Sequence, residues 1–320
     1  MNPSPPDDPT HADPEPHDPP AGHGPALPFK DHGGDGPPVL LLHGAGGTRH
    51  DWYPLVPVLR ERHRVVAVDL PGHGTAAGET WDWTQACDAL DATVAALDAA
   101  TPAVVGMSLG GLLALLWADR RPDCPAVVNL DGHPSVHSAA QCPGLAAGTA
   151  DDLLSALAAR FDAMEAMLAG PLPAPAVQAM VAARRATAEA AGLPADAAET
   201  AVRAGLVTRA GETFARPGAG ALRDLRAALR AIDPYPLYRR AVRPTLVVSA
   251  ERDLPEQREF GALTEAYRRH VAARLAEVTN PLVRTVSLPA SHALLYELPA
   301  RTTALIRDFL AETAAPTARP

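Results

Sequence analysis

AVVGMSLGGLLALLWADR, residues 103–120, changes character at its sixth position. Ala103-Val104-Val105 is a short apolar run of the kind that forms a buried strand. Leu112 onward is an apolar helix. Between them stands Ser108, with Gly106 two residues before it and Gly110 and Gly111 just after. One glycine suffices for a turn, so three around a single hydroxyl indicate a serine held out at a hinge. In a strand–Gly-x-Ser-x-Gly–helix elbow, the nucleophile sits on a tight, strained turn above the C-terminal edge of a sheet. The glycines occupy places where a Cβ would clash across that turn.

Working outward, short apolar runs alternate with amphipathic stretches on both sides of the elbow. The strands are expected in PVLLLHG (38–44), RVVAVDLPGHG (64–74), PAVVNLDGH (125–133), RPTLVVSAERD (243–253) and LVRTVSLPASH (282–292). These runs do not alternate in polarity, and helical stretches separate them. The pattern predicts an α/β fold: a mostly parallel central sheet with helices on both faces. DWYPLVPVLRERH (51–63) reads as a short helix with Asp51 as its N-cap, and DWTQACDALDATVAALDAA (82–100) as a longer one. The rhythm stops over 134–240, a stretch rich in alanine, arginine and methionine and broken by Pro171, Pro173, Pro175 and Pro194. No strand is evident there, so a helical insertion is expected. The division that follows is a core of 29–133 and 241–314 around an insertion of 134–240, after a disordered Pro/Asp/His-rich tail of 1–28.

A serine hydroxyl is a weak nucleophile unless a base takes its proton and a carboxylate holds that base. His292 follows the last strand and is the expected base. Asp253, in the loop after the preceding strand, is the expected acid, with Asp131 in NLDGH as the alternative. The other histidines compete less well. His43 and His73 flank early glycine turns, and His133 and His137 open the insertion. An oxyanion hole needs two N–H donors. Leu109, at the start of the helix, supplies one, and Ala45 in the loop LLLHGAGGT (40–48) the other. That loop lacks the third glycine of a dinucleotide fingerprint, which points away from nicotinamide or flavin chemistry.

These pieces together resemble the α/β-hydrolase superfamily from about residue 30 to about residue 313. The resemblance rests on LLLHGAGG, VVAVDLPGHG, VVGMSLGG, LVVSAERD and ASHALLYELP. It implies Ser108 as nucleophile, Asp253 as acid and His292 as base, with Ala45 and Leu109 forming the oxyanion hole and 134–240 forming a helical cap. Two departures stand out. Ser291 precedes the histidine where many members have glycine, and the segment before PPVLLLHG is short for a full set of leading strands.

Composition bounds the rest. With 320 residues and 47% hydrophobic content, the chain can bury one sizeable core, though only 4% is aromatic. A net charge of -9 without a basic run points away from nucleic acid. The one lysine, Lys30, excludes Schiff-base chemistry on a core lysine. Cys87, Cys124 and Cys142 are odd in number and lack metal-type spacing, as expected of reduced, buried thiols. No basic-then-apolar N-terminal segment suggests a signal peptide, and no apolar run approaches the roughly 20 residues of a membrane span. The expectation is a cytoplasmic serine hydrolase without cofactor or metal, acting on an ester, thioester or lactone of a small apolar molecule. Acyl transfer or cyclisation by the same three groups, or ligand binding on a retired scaffold, are the alternatives. In the insertion, Phe161, Met164, Met167, Leu168 and Met180 are candidates for an acyl pocket but read more simply as packing. Arg203, Arg209 and Arg216 read as a solvated face rather than an anion site.

Overall fold

The computed structural model describes residues 25–314, so most of the expected tail, including His11, His17 and His23, lies outside the described residues. The apolar runs condense into a seven-stranded sheet in the order β1-β3-β2-β4-β5-β8-β9. Its strands are β1 (Phe29–Asp31), β2 (Pro38–Leu42), β3 (Arg64–Val68), β4 (Ala103–Met107), β5 (Val127–Leu130), β8 (Thr245–Ala250) and β9 (Val283–Leu288). All pairs are parallel except β1 with β3. The single three-residue β1 is all that precedes β2 among the described residues, in keeping with the short leading segment. Helices α1 (Val56–Leu59), α2 (Trp83–Ala96) and α3 (Leu109–Arg120) lie between the early strands, and α9 (Gly261–Ala276), α10 (Leu294–Glu297) and α11 (Pro299–Ala314) follow β8.

Why the strands read as continuous apolar runs is now plain: both faces are covered. Leu40 and Leu42 point into one cluster with Val104, Leu113 and Trp117. Val39 and Leu41 point into the other with Val105, Ile306 and Phe309. Burial of each such leucine contributes about 1.5–3 kcal/mol. The three cysteines are free and buried. Among the described residues no helix is long and apolar enough to cross a membrane.

Between β5 and β8 run α4 (Ala147–Leu168), α5 (Ala174–Ala190), α6 (Ala195–Ala204), α7 (Ala219–Ala231) and α8 (Tyr235–Arg240). Two features depart from the sequence reading. The segment contains an antiparallel hairpin, β6 (Leu206–Arg209) and β7 (Glu212–Ala215), where no strand was expected. Its two-residue turn places Ala210 at φ 50° and Gly211 at φ 82°, the left-handed pair that suits a tight hairpin. The second departure is near the start of the chain. Asp51 does not begin a helix; Thr48 caps a short 3-10 turn, Arg49–Trp52, and Asp51 closes the box by accepting the Thr48 N–H at 2.8 Å. In addition, Tyr235, Leu237 and Tyr238 of α8 sit in the same buried cluster as α2 and α3, so the rear of the segment is part of the sheet's packing.

Candidate active site

Five consecutive strands of the sheet, β2, β4, β5, β8 and β9, end in loops that carry the candidate residues. At the end of β4, Ser108 adopts φ 53° and ψ -115°, a left-handed conformation that costs an ordinary residue about 1–3 kcal/mol. The surroundings over-determine it. Ser108 N–H donates to the Leu130 carbonyl at 2.8 Å, while the Ser108 carbonyl accepts from Gly111 and Leu112. A Cβ on Gly106 would stand 2.1 Å from the Gly110 oxygen, and one on Gly110 would stand 2.0 Å from the Leu42 oxygen. The elbow thus exists only because backbone meets backbone at both glycines. Gly110→Ala should destabilise the protein by about 2–3 kcal/mol, measured as a lowered urea midpoint. An unchanged midpoint would contradict the tight elbow.

Leu109 is the first residue of α3, so its N–H has no acceptor within the helix and lies at the positive end of the dipole. Ala45 sits inside a turn closed by the Gly47 N–H donating to the Gly44 carbonyl at 3.0 Å. Buried His43 holds this loop. Its Nδ1 lies 2.8 Å from the Gly44 oxygen, and its Nε2 accepts the Leu70 N–H at 3.0 Å. An acceptor at Nε2 leaves the proton on Nδ1, which donates to Gly44. Burial lowers the His43 pKa, keeping that neutral tautomer.

The candidate base and acid are positioned from the far side. His292 Nδ1 lies 2.6 Å from Asp131 Oδ2. This is the pairing the sequence reading assigned first to Asp253, and the structure departs from it. Asp253 forms an ion pair with Arg268 of α9 instead. The reason lies in the backbone beyond β8. Glu251 and Arg252 donate their N–H groups to Ala290 and run along the β9 loop, which carries residue 253 outward to α9. Asp131, one strand nearer the nucleophile, bends back over β8. Its φ is 51°, its N–H donates to Val248, and its Oδ1 accepts the Ala250 N–H at 2.8 Å. Buried Asn129 fixes that turn. Its Oδ1 accepts the Gly132 N–H at 2.8 Å, and its amide donates to the Gly132 carbonyl and to the Tyr238 hydroxyl.

His133, which by sequence belongs to the insertion's entrance, also reaches this carboxylate. Its Nε2 stands 3.6 Å from Asp131 Oδ1 and 3.2 Å from Ser249 Oγ, so Asp131 lies between two imidazoles. Burial lowers the His133 pKa. Burial also opposes ionisation of Asp131, but the hydrogen bond and charge of His292, the field of His133 and the Ala250 N–H outweigh it. The Asp131 carboxyl is held down at about 2. A depressed carboxyl contributes stability that is full above its unfolded value and is lost as pH falls through its folded one. From the ordinary 3.8 down to about 2, that loss amounts to about 2 kcal/mol. Wild type should therefore lose more urea resistance than Asp131→Asn between pH 4 and pH 2. Parallel curves would refute the assignment.

Ser108, His292, Ala45 and Met107 line one cavity of about 280 Å3, together with Asp51, Trp52, Arg184, Leu254, Leu295 and Tyr296. Of the insertion's candidates none lines it: Phe161, Met164, Met167 and Met180 are exposed, and Leu168, Arg209 and Arg216 border a separate cavity of about 350 Å3. Arg216 donates to the carbonyls of Gly72 and Ala76, tying the insertion to the loop after β3, and Arg203 pairs with Glu199 at 2.7 Å. The insertion's contribution to the Ser108 cavity is Arg184, which the sequence reading did not single out. Among the described residues no group of three or more His, Cys, Asp or Glu side chains could hold a metal ion.

The sequence profile of the alpha/beta hydrolase family matches residues 39–305. The chain belongs to that family. Among curated proteins, the pimeloyl-[acyl-carrier protein] methyl ester esterase of Neisseria meningitidis serogroup C is 46% identical over 87 residues, which is 27% of this chain and 32% of that protein. The magnesium-chelatase 30 kDa subunit of Rhodobacter capsulatus is 36% identical over 110 residues, 30% of this chain and 35% of that one. The matches thus span about a third of these relatives' length. Among solved structures, an E-2-(acetamidomethylene)succinate hydrolase superposes with a TM-score of 0.65 at 24% identity, covering 89% of this chain and 95% of that one. The enol-lactonase of Burkholderia xenovorans LB400 gives 0.57 at 21% identity, covering 89% and 96%. These two likenesses establish the fold of the chain.

Proposed function

We propose that this protein is a serine hydrolase that cleaves an ester, thioester or lactone of a small, largely apolar substrate through an acyl-enzyme. The observation that carries this reading is the strained Ser108 and the Asp131-bound His292 opening into one cavity. With Nδ1 engaged by Asp131, the free Nε2 of His292 is the atom that takes the Ser108 proton as Oγ attacks the carbonyl carbon. The negative oxygen that forms would be received by the N–H groups of Leu109 and Ala45. Collapse expels the alcohol or thiol, which takes the proton from His292. Water, deprotonated by the same nitrogen, then releases the acid and restores Ser108. Trp52, Met107, Leu254 and Leu295 give the cavity apolar walls, and Arg184 of α5 supports treating the inserted segment as a cap.

The name of the Neisseria relative, a methyl ester esterase, favours ester cleavage, and the magnesium-chelatase subunit shows why a name alone carries little. The test is a panel of 4-nitrophenyl esters and acyl thioesters of graded chain length, with fluorophosphonate labelling. Hydrolysis, with label on the peptide bearing Ser108, is expected. No labelling and no turnover at neutral pH would refute the reading.

A further inference from the structure

Arg184 has no task in the mechanism above, yet it stands in the catalytic cavity with Ser108 and His292. It is half-buried, with its guanidinium carbon 4.7 Å from the centre of the Tyr296 ring. Several other arginines of the insertion serve the fold. Its neighbour Arg185 pairs with Asp196 and Glu199, Arg226 with Asp162, and Arg223 with Glu165. Arg184 differs: among the described residues no carboxylate oxygen comes within 4.0 Å of it. Asp51 is the acidic group that faces it, but both oxygens of that carboxylate are engaged, Oδ2 by the Thr48 N–H at 2.8 Å and Oδ1 by the Tyr296 hydroxyl at 3.2 Å. Burial works against the Arg184 charge, yet Tyr296, through its field and a side-chain hydrogen bond, and the Asp51 carboxylate favour it, and the guanidinium stays a cation at neutral pH.

A guanidinium brought from the insertion into a small cavity, with no carboxylate among the described residues in direct contact with it, is a receptor for an anion. Its planar fork matches the two oxygens of a carboxylate, and the nearby Asp51 charge disfavours a dianion such as phosphate. We propose that Arg184 determines specificity by binding a carboxylate on the substrate, which is therefore an ester, thioester or lactone whose acyl part bears a second, free carboxyl group. The proposal rests on the serine-hydrolase reading.

The test compares mono-4-nitrophenyl adipate with 4-nitrophenyl hexanoate, acyl groups of equal carbon number with and without the charge. In wild type, kcat/KM should favour the adipate ester by about 10- to 100-fold. Arg184→Gln should shrink that ratio about as much, chiefly through KM for the adipate ester. Arg184→Lys, which keeps charge but loses the fork, should fall between, and it serves if the Gln variant does not fold. Arg184→Glu should reverse the preference. Free adipate should inhibit wild type competitively and more strongly than inorganic phosphate. Turnover of hexanoate with no preference for adipate, a ratio unmoved in Arg184→Gln, or tighter inhibition by phosphate would overturn the carboxylate assignment while leaving hydrolysis standing. Failure to cleave either ester or the thioester panel would remove both readings.

Discussion

Replacing Ser108 by alanine is expected to lower kcat on 4-nitrophenyl esters about a millionfold, a barrier increase of about 8 kcal/mol. The substitution deletes one oxygen. It leaves the N–H bond to Leu130 and the carbonyl bonds to Gly111 and Leu112 in place, so the elbow should persist. Equal thermal transitions for the two proteins would show that the loss is chemical. A residue effect this large is what a nucleophile gives, because without it neither the base nor the acid has a proton to manage. Retention of more than a hundredth of wild-type kcat would mean that another group attacks the carbonyl.

The second large effect separates the two candidate acids. Asp131→Asn should reduce kcat about ten-thousandfold, since an amide facing Nδ1 favours the wrong imidazole tautomer and gives the imidazolium no counter-charge. Asp253→Asn should leave kcat within about tenfold of wild type, because its partner is Arg268 rather than His292. Measured side by side on one ester, the two variants rank the carboxylates directly. A larger loss at Asp253 than at Asp131 would reverse the assignment made from geometry.

Much of this architecture was legible because its signals are local. A parallel strand covered on both faces must be apolar along its length, and Leu40-Leu41-Leu42 or Val65-Val66-Ala67-Val68 cannot be much else. The elbow is equally local, since its glycines are required by contacts within a few residues and with the adjacent strand. His292 follows from its place just past the last strand.

What the sequence withheld depends on how loops travel after leaving the sheet. Asp131 and Asp253 both lie just beyond strand ends. Which of them reaches His292 is decided by Asn129 pinning the turn at Gly132 and by Ala290 drawing residues 251 and 252 sideways. Neither influence has a one-dimensional signature. The β6–β7 hairpin is hard to read from sequence because four-residue strands within an alanine-rich stretch show too few periods, although Val207, Thr208, Thr213 and Phe214 around Ala210-Gly211 are a usable signal. Arg184 and Arg185 are adjacent, and only packing distinguishes the one that enters the cavity from the one that ties α5 to α6.

The choice of Asp131 also changes how the chain can be taken apart. In the proposed mechanism, nucleophile, acid and both oxyanion donors fall within residues 45–131, one uninterrupted stretch, and only His292 arrives from beyond the insertion. Exchanging α4 through β7 for another sequence would leave every reacting group behind while carrying Arg184 away with it. On the two proposals made above, reactivity and substrate choice in this polypeptide would be inherited separately.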